Sequence, residues 1–295
     1  MSEQPVMPRR TLGRTGREVT LFALGGEGIL RTHGRTDEAE AVIHRALDLG
    51  VNYCDTAPAY ASSMDYYGAA LGSRRRDVFL ASKTHERSRD GSLRLLDDSL
   101  RRLRTDHLDL WQLHDLRTRR DLDEIFAADG ALAALQQARA DGRVRHLGIT
   151  GHHDPAILLE AMRRFEFDTV LMALNAADVH RLSFLKMVLP EAQRHGLGVI
   201  GMKVYGQGSL IRRNVLQSLF GRARLTSAEA MGYVLSQPGV SIVVIGCSTP
   251  QEVEDNVHNA CQFAALGEAV QRELEQRTLR NAAMLTDYKR SGWRY

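Results

Sequence analysis

Eight short apolar runs, each followed by a longer amphipathic segment, limit what this chain can fold into. The runs occupy residues 20–24, 51–55, 78–83, 108–114, 144–150, 169–174, 198–203 and 240–246. Helix-period segments lie between them at 37–49, 64–71, 93–103, 131–141, 155–164, 182–195 and 227–237, and another at 251–261 follows the eighth run. Strand–helix repetition with no break in composition points to α/β architecture, one domain over 1–295 built on a parallel sheet. Such a sheet closes or lies open. An open dinucleotide-binding sheet usually carries a GxGxxG turn after its first strand. Leu24-Gly25-Gly26-Glu27-Gly28 comes nearest, but it misses that spacing and starts no helix. The expectation is a (β/α)8 TIM barrel over 20–262. An N-terminal hairpin at 10–19 precedes it, and a C-terminal helix and tail over 263–295 follow.

Composition narrows the partners. The net charge is +3, and the clusters Arg74-Arg75-Arg76 and Arg119-Arg120 are short and broken up by acids. A nucleic-acid reader concentrates its basic residues on one face; these arginines read as a solvated surface. No stretch reaches the roughly 18 apolar residues of a membrane span, and the first residues lack a secretory apolar core. Cys54, Cys247 and Cys261 form no CxxC pair, which argues against a disulfide framework or a cysteine-built metal site. A cytoplasmic protein with a small-molecule partner, and neither nucleic acid nor membrane, is expected.

Barrel active sites form at the C-terminal ends of the strands. The second run ends at Asp55, the third at Lys83 and the fourth at His114, with Tyr60 five residues beyond Asp55. Side chains two apart share a strand face. Asp55 therefore points with Tyr53 and Val51, Lys83 with Ala81 and Phe79, and His114 with Gln112 and Leu110. If those faces meet the barrel axis, Cys54 and Trp111 pack against helices. Alone, each reactive residue has a bland reading: a capping Asp, a snorkelling Lys, a satisfied His, a packing Tyr. Together on one rim they suit proton transfer to a carbonyl oxygen. A lysine ammonium beside a phenol favours the phenolate, which makes tyrosine a usable acid. Asp55 would keep Lys83 charged, and His114 would donate a hydrogen bond to the same oxygen or relay the proton. The hydride must come from a cofactor, because no side chain supplies one.

These residues also carry a resemblance. ALDLGVNYCDTAPAY (46–60), ASKT (81–84) and SLRRLRTDHLDLWQLHD (99–115) resemble, in this order, the catalytic segments of the aldo-keto reductase family. The resemblance runs from about residue 11 to about residue 260 and implies a (β/α)8 barrel that reversibly reduces an aldehyde or ketone, usually with NADPH. Carried over by position, Tyr60 is the acid, Lys83 and Asp55 tune it, and His114 orients the carbonyl.

The cofactor side departs from the family pattern. The Ser-Asn pair that holds the nicotinamide amide reads Thr150-Gly151 here. The strand-six Gln falls at Leu171, with Asn175 just beyond. The stacking Tyr falls near Met202, and the following serine at Lys203, whose ammonium would meet a pyrophosphate as a point charge. Gly206 and Gly208 complete the contacts expected in that loop. Gly246, Ser248, Glu252 and Asn256 match the adenosine-phosphate segment, where a helix N-terminus behind Pro250 favours an anion. Glu252 stands where NADPH-preferring members often have Arg or Gln. Its carboxylate suits a ribose hydroxyl better than a 2′-phosphate, so NADH stays open beside NADPH. The bland reading turns Glu252 to solvent in the first helical turn.

His152-His153-Asp154 has no third metal ligand at useful spacing, and Asp154 before Pro155 reads as a helix cap, so no metal is expected. Trp293 and Tyr295 either fold over the barrel mouth or belong to a frayed end. Two other readings remain: a NADP(H)-binding regulatory or sensing barrel with little turnover, and a Schiff-base lyase on Lys83, which gives Tyr60 no role.

Overall fold

Eight parallel strands, each paired with its neighbours in sequence, close into a barrel because the last returns to the first. The structure is a computed structural model and describes residues 6–211 and 225–289. An antiparallel hairpin, β1 (Arg9–Thr11) and β2 (Glu18–Thr20), precedes the barrel. The barrel strands are β3 (Phe22–Gly28), β4 (Tyr53–Asp55), β5 (Phe79–Thr84), β6 (Leu108–Leu113), β7 (Val144–Gly151), β8 (Thr169–Ala173), β9 (Gly198–Met202) and β10 (Val240–Cys247). Around them lie α1 (Thr36–Asp48), α2 (Ser63–Ala70), α3 (Arg89–Arg102), α4 (Arg119–Ile125), α5 (Ala131–Ala140), α6 (Pro155–Arg164), α7 (Phe184–Arg194), α8 (Ser227–Leu235) and α9 (Pro250–Cys261). The helices α10 (Glu268–Leu279) and α11 (Ala282–Leu285) follow the barrel.

The expected (β/α)8 architecture and N-terminal hairpin are both present, with shifted edges. Thr20 belongs to the hairpin, opposite Arg9, and its hydroxyl donates to Phe22 O at 2.8 Å, so the chain bends at Leu21 before the barrel strand begins. The second barrel strand starts at Tyr53, which leaves Val51 in the outer layer. The helix α4 was not expected. It is short and polar, buries only Leu122 and Ile125, and is set by a capping box between Thr118 and Asp121.

Two apolar layers result from strand alternation. Tyr53, Phe79, Ala81, Leu110, Leu171, Ile200 and Ile242 fill the barrel, and Tyr53 stacks on Phe79 with ring centres 5.2 Å apart. Cys54 and Trp111 are buried in the outer layer between strands and helices, as two-residue periodicity requires. The hairpin supplies the floor: Leu12 and Val19 join the interior cluster, and full burial of such a side chain stabilises by about 1.5–3 kcal/mol. Its turn presses onto β9 so closely that a Cβ on Gly13, at φ +49°, would lie 2.0 Å from Gly198 N. Only glycine fits there.

The Arg74–Arg76 cluster is partly structural. Arg75 pairs with the buried Asp109 at 3.0 Å and donates to Val78 O and His107 O, while Arg74 reaches Asp48. After α11 the chain is pinned by a fully buried ion pair, Lys289 with Asp178, and by the buried Tyr288. Trp293 and Tyr295 lie outside the described residues. Among the described residues no helix is long and apolar enough to cross a membrane.

Candidate active site

Short, fully buried strands carry the reactive groups to one rim. Lys83 at the end of β5 is 0 % exposed, and its Nζ donates to Asp55 Oδ1 at the end of β4 and to Thr56 O at 2.9 Å. Gln112 Nε2 reaches Asp55 Oδ2 at 3.3 Å, so both carboxylate oxygens are engaged. Burial pushes Asp55 up and Lys83 down from their ordinary values, and in each case the partner's charge opposes the shift. Tyr60 stands over this pair, with Lys83 Nζ 4.9 Å from its ring centre and its hydroxyl 3.5 Å from His114 Nε2. Burial, with the Lys83 charge second, pushes His114 well below the usual histidine range, so the ring is neutral. Gly26 makes room for Tyr60, since a Cβ there would lie 2.9 Å from the tyrosine ring.

A cavity of about 590 Å³ opens from this rim, within the range of small-molecule and cofactor sites. Asp55 and Tyr60 line one end, while Lys83 and His114 lie behind them. Met202, Lys203 and Gly208 line it too, as do Gly246, Ser248, Glu252 and Asn256 around the start of α9. There Thr249 caps α9 by accepting from Glu252 N at 3.2 Å, with Pro250 in the first turn. The rim residues and seven of the ten expected cofactor residues thus line one continuous space or stand directly behind its wall.

The sequence profile of the Aldo/keto reductase family matches residues 22–229. The chain belongs to that family. Over 316 residues it is 27% identical to L-galactose dehydrogenase of Arabidopsis thaliana, covering 96% of each chain. It is 26% identical to pyridoxal 4-dehydrogenase of Microbacterium luteolum, covering 84% of this chain and 92% of the relative. The holo form of an aldo-keto reductase from Bacillus halodurans superposes with a TM-score of 0.78 at 25% identity, over 92% of this chain and 96% of that one. This aldo-keto reductase is therefore an oxidoreductase of a family that uses nicotinamide cofactors on small carbonyl compounds.

Three expected cofactor residues are not part of the cavity lining. Asn175 spends its amide on Lys203 O at 3.1 Å and Tyr288 Oη at 2.9 Å, and its carbonyl oxygen accepts from Ala177 N. Thr150 Oγ1 accepts from Asp115 N at 2.7 Å, which ties β7 to the turn after His114. Gly206 is buried in the loop, closed by the Gly206 N to Lys203 O bond of 2.8 Å. Two residues on the cavity wall are also engaged within the fold. Glu252 is exposed, and its Oε2 accepts from Ser248 N at 2.6 Å, so that N–H is not left open. Asn256 donates to Glu252 O at 2.7 Å and accepts from Tyr205 Oη at 2.5 Å.

Wall residues that sequence reasoning missed include Glu27, Arg31, Tyr205 and Gln207, while Gln112, read only as sharing the face of His114, bonds Asp55 behind the wall. Arg31 pairs with Glu27 at 2.9 Å and lies over the Tyr60 ring at 5.3 Å. The glycine-rich run at 24–28 was the available signal. It is a barrel strand end, and the wall of the cavity, rather than a failed nucleotide turn. One other expectation changes. Asp154 does cap α6, accepting from Ala156 N at 2.9 Å, but His152 and His153 do acquire a third potential ligand in Asp115. It lies 37 residues upstream of His152 in sequence and one strand away in space, which only barrel closure reveals.

Proposed function

We propose that this protein reversibly reduces an aldehyde or ketone to the alcohol, with NADPH as donor, NADH as a substitute, and Tyr60 as proton donor. The observation that carries the reading is one cavity lined both by Asp55 and Tyr60 and by residues around the α9 N-terminus. The residues suit a dinucleotide. The glycine-lined wall at Gly25, Gly26 and Gly246 leaves no side chain between backbone and ligand, Lys203 offers a cation, and the helix N-terminus suits a phosphate. A nicotinamide cofactor bound there supplies the hydride.

The chain's own groups do the rest. Tyr60 Oη gives its proton to the carbonyl oxygen, and Lys83, fixed by Asp55, stabilises the negative charge left on the phenol. Neutral His114 donates a hydrogen bond to the same oxygen and, being neutral, polarises it without competing for the Tyr60 proton. Asp55 is a positioning group: it holds the Lys83 ammonium against Thr56 O and beneath the Tyr60 ring. A panel of aldehydes and ketones, each assayed with NADPH and NADH, tests the reading. Steady consumption of either cofactor over many turnovers is expected. Tight cofactor binding without turnover on any member of the panel would favour a sensing barrel instead.

A further inference from the structure

Beside the active site, a second cluster of reactive groups plays no part in carbonyl reduction. Asp115 follows His114 at the end of β6, and His152 and His153 follow β7, the neighbouring strand. All three are buried, and one ligand atom from each lies within 4.8 Å of the others. Asp115 sits in the turn at φ +55°, a conformation that short polar side chains such as Asp tolerate. Its Oδ2 is held by Arg117 Nε at 2.6 Å. Its Oδ1 is buried, takes no hydrogen bond among the described residues, and faces the two imidazoles.

The spacing is informative. Asp115 Oδ1 lies 3.5 Å from His152 Nδ1 and 3.4 Å from His153 Nε2. Hydrogen bonds between nitrogen and oxygen usually fall at 2.7–3.2 Å. Ligands about 2.0–2.1 Å from a tetrahedral zinc ion stand about 3.3–3.4 Å apart, the edge of that tetrahedron. The two imidazole rings are 4.3 Å apart and tilted by 35°, and their ligand nitrogens lie within 4.8 Å of one another. Two imidazoles with one carboxylate select a transition metal over magnesium or calcium, which prefer all-oxygen shells. Arg117, bonded to the far oxygen, is the kind of outer partner that orients a ligating carboxylate.

We propose that Asp115, His152 and His153 bind one divalent transition-metal ion, with zinc as the best match and water as the fourth ligand. His153 and Asp115 keep 7% and 10% of their side-chain surface exposed and give the ion its entry. The charges of Arg117 and Lys203 nearby make the site weaker than a closed four-ligand structural site. Bound metal would lock the turn immediately after His114, so the site is a support for that turn, distinct from the reacting atoms.

The test uses full-length protein without a histidine tag, stripped with chelator and titrated with cobalt(II), whose visible absorption reports a tetrahedral site. One equivalent per chain, displaced by zinc, is expected. Losing a single outer partner of a metal site typically costs 10–100-fold in affinity. Arg117→Gln should therefore weaken cobalt binding by about tenfold, and Asp115→Asn or His153→Gln by at least about 100-fold. X-ray absorption on cobalt bound to the unmutated protein keeps the proposal testable if those variants fail to fold. It should show two imidazole nitrogens at about 2.0–2.1 Å. Binding well below one equivalent, binding undiminished in both ligand variants, or a shell of oxygen alone would each overturn it.

Discussion

The two ends of the cavity are built in different ways. Where the chemistry is proposed, Asp55, Lys83 and His114 end adjacent strands and are nearly inaccessible to solvent, with Tyr60 folded over them. Strand pairing sets their heights, and burial removes water, so each interaction acts in a low dielectric. Where the adenosine is proposed to bind, Ser248, Glu252 and Asn256 surround a helix start, and two of their side chains are already bonded within the fold.

The largest expected effect lies at the catalytic end. Tyr60→Phe should lower the maximal rate by about 10²–10⁴-fold, the range for loss of a general acid, while cofactor affinity stays within about twofold. Steady-state kinetics with cofactor titration check it. Near-normal turnover in a folded variant would remove Tyr60 from the mechanism. Next comes the buried pair. Lys83→Met strands a buried carboxylate and should destabilise by about 3–5 kcal/mol, with much of that recovered in the double variant with Asp55→Asn. Denaturant unfolding measures both. A loss under about 1 kcal/mol would show that the end is wetter than its burial indicates.

Acid sharpens the comparison further. His114 is held neutral in the folded protein, whereas in the unfolded chain it takes up a proton below about pH 6.5. Its folded value is depressed, so the stabilising contribution is full above the unfolded value and is lost as pH falls. The loss grows as the pH falls below about 6.5. Thermal midpoints of chelator-treated protein should therefore fall more steeply with acid than those of His114→Gln. Parallel slopes would mean that the ring already binds a proton when folded.

The smallest effect belongs to the far end. Glu252→Arg should favour NADPH over NADH by about tenfold, on the scale of one charge-assisted hydrogen bond, and it also frees Ser248 N–H. Equal changes for both cofactors would place Glu252 away from the ribose.

This contrast explains what was readable in advance. Asp55, Lys83 and His114 could be picked out because period-two alternation puts strand-end side chains on one face, and Tyr60 lies a fixed short step beyond. The residues expected at the cofactor could be listed but not assigned, since an amide or carboxylate takes whichever partner tertiary contact brings closest. Asn175 chose Tyr288, 113 residues away, and Thr150 chose the Asp115 backbone.

By itself, then, the sequence determined the eight-unit barrel, the two apolar layers and the reactive rim, because these follow from local periodicity and order along the chain. Tertiary structure alone decided that the run through Gly25, Gly26 and Gly28 would end a strand and wall the cavity. It also decided that Arg31 would lie over Tyr60 and that Asp115 would face His152 and His153. Those meetings depend on which strand ends become neighbours when the sheet closes, and on how each side chain settles among the partners available there. No local pattern encodes a contact between residues that only closure brings together.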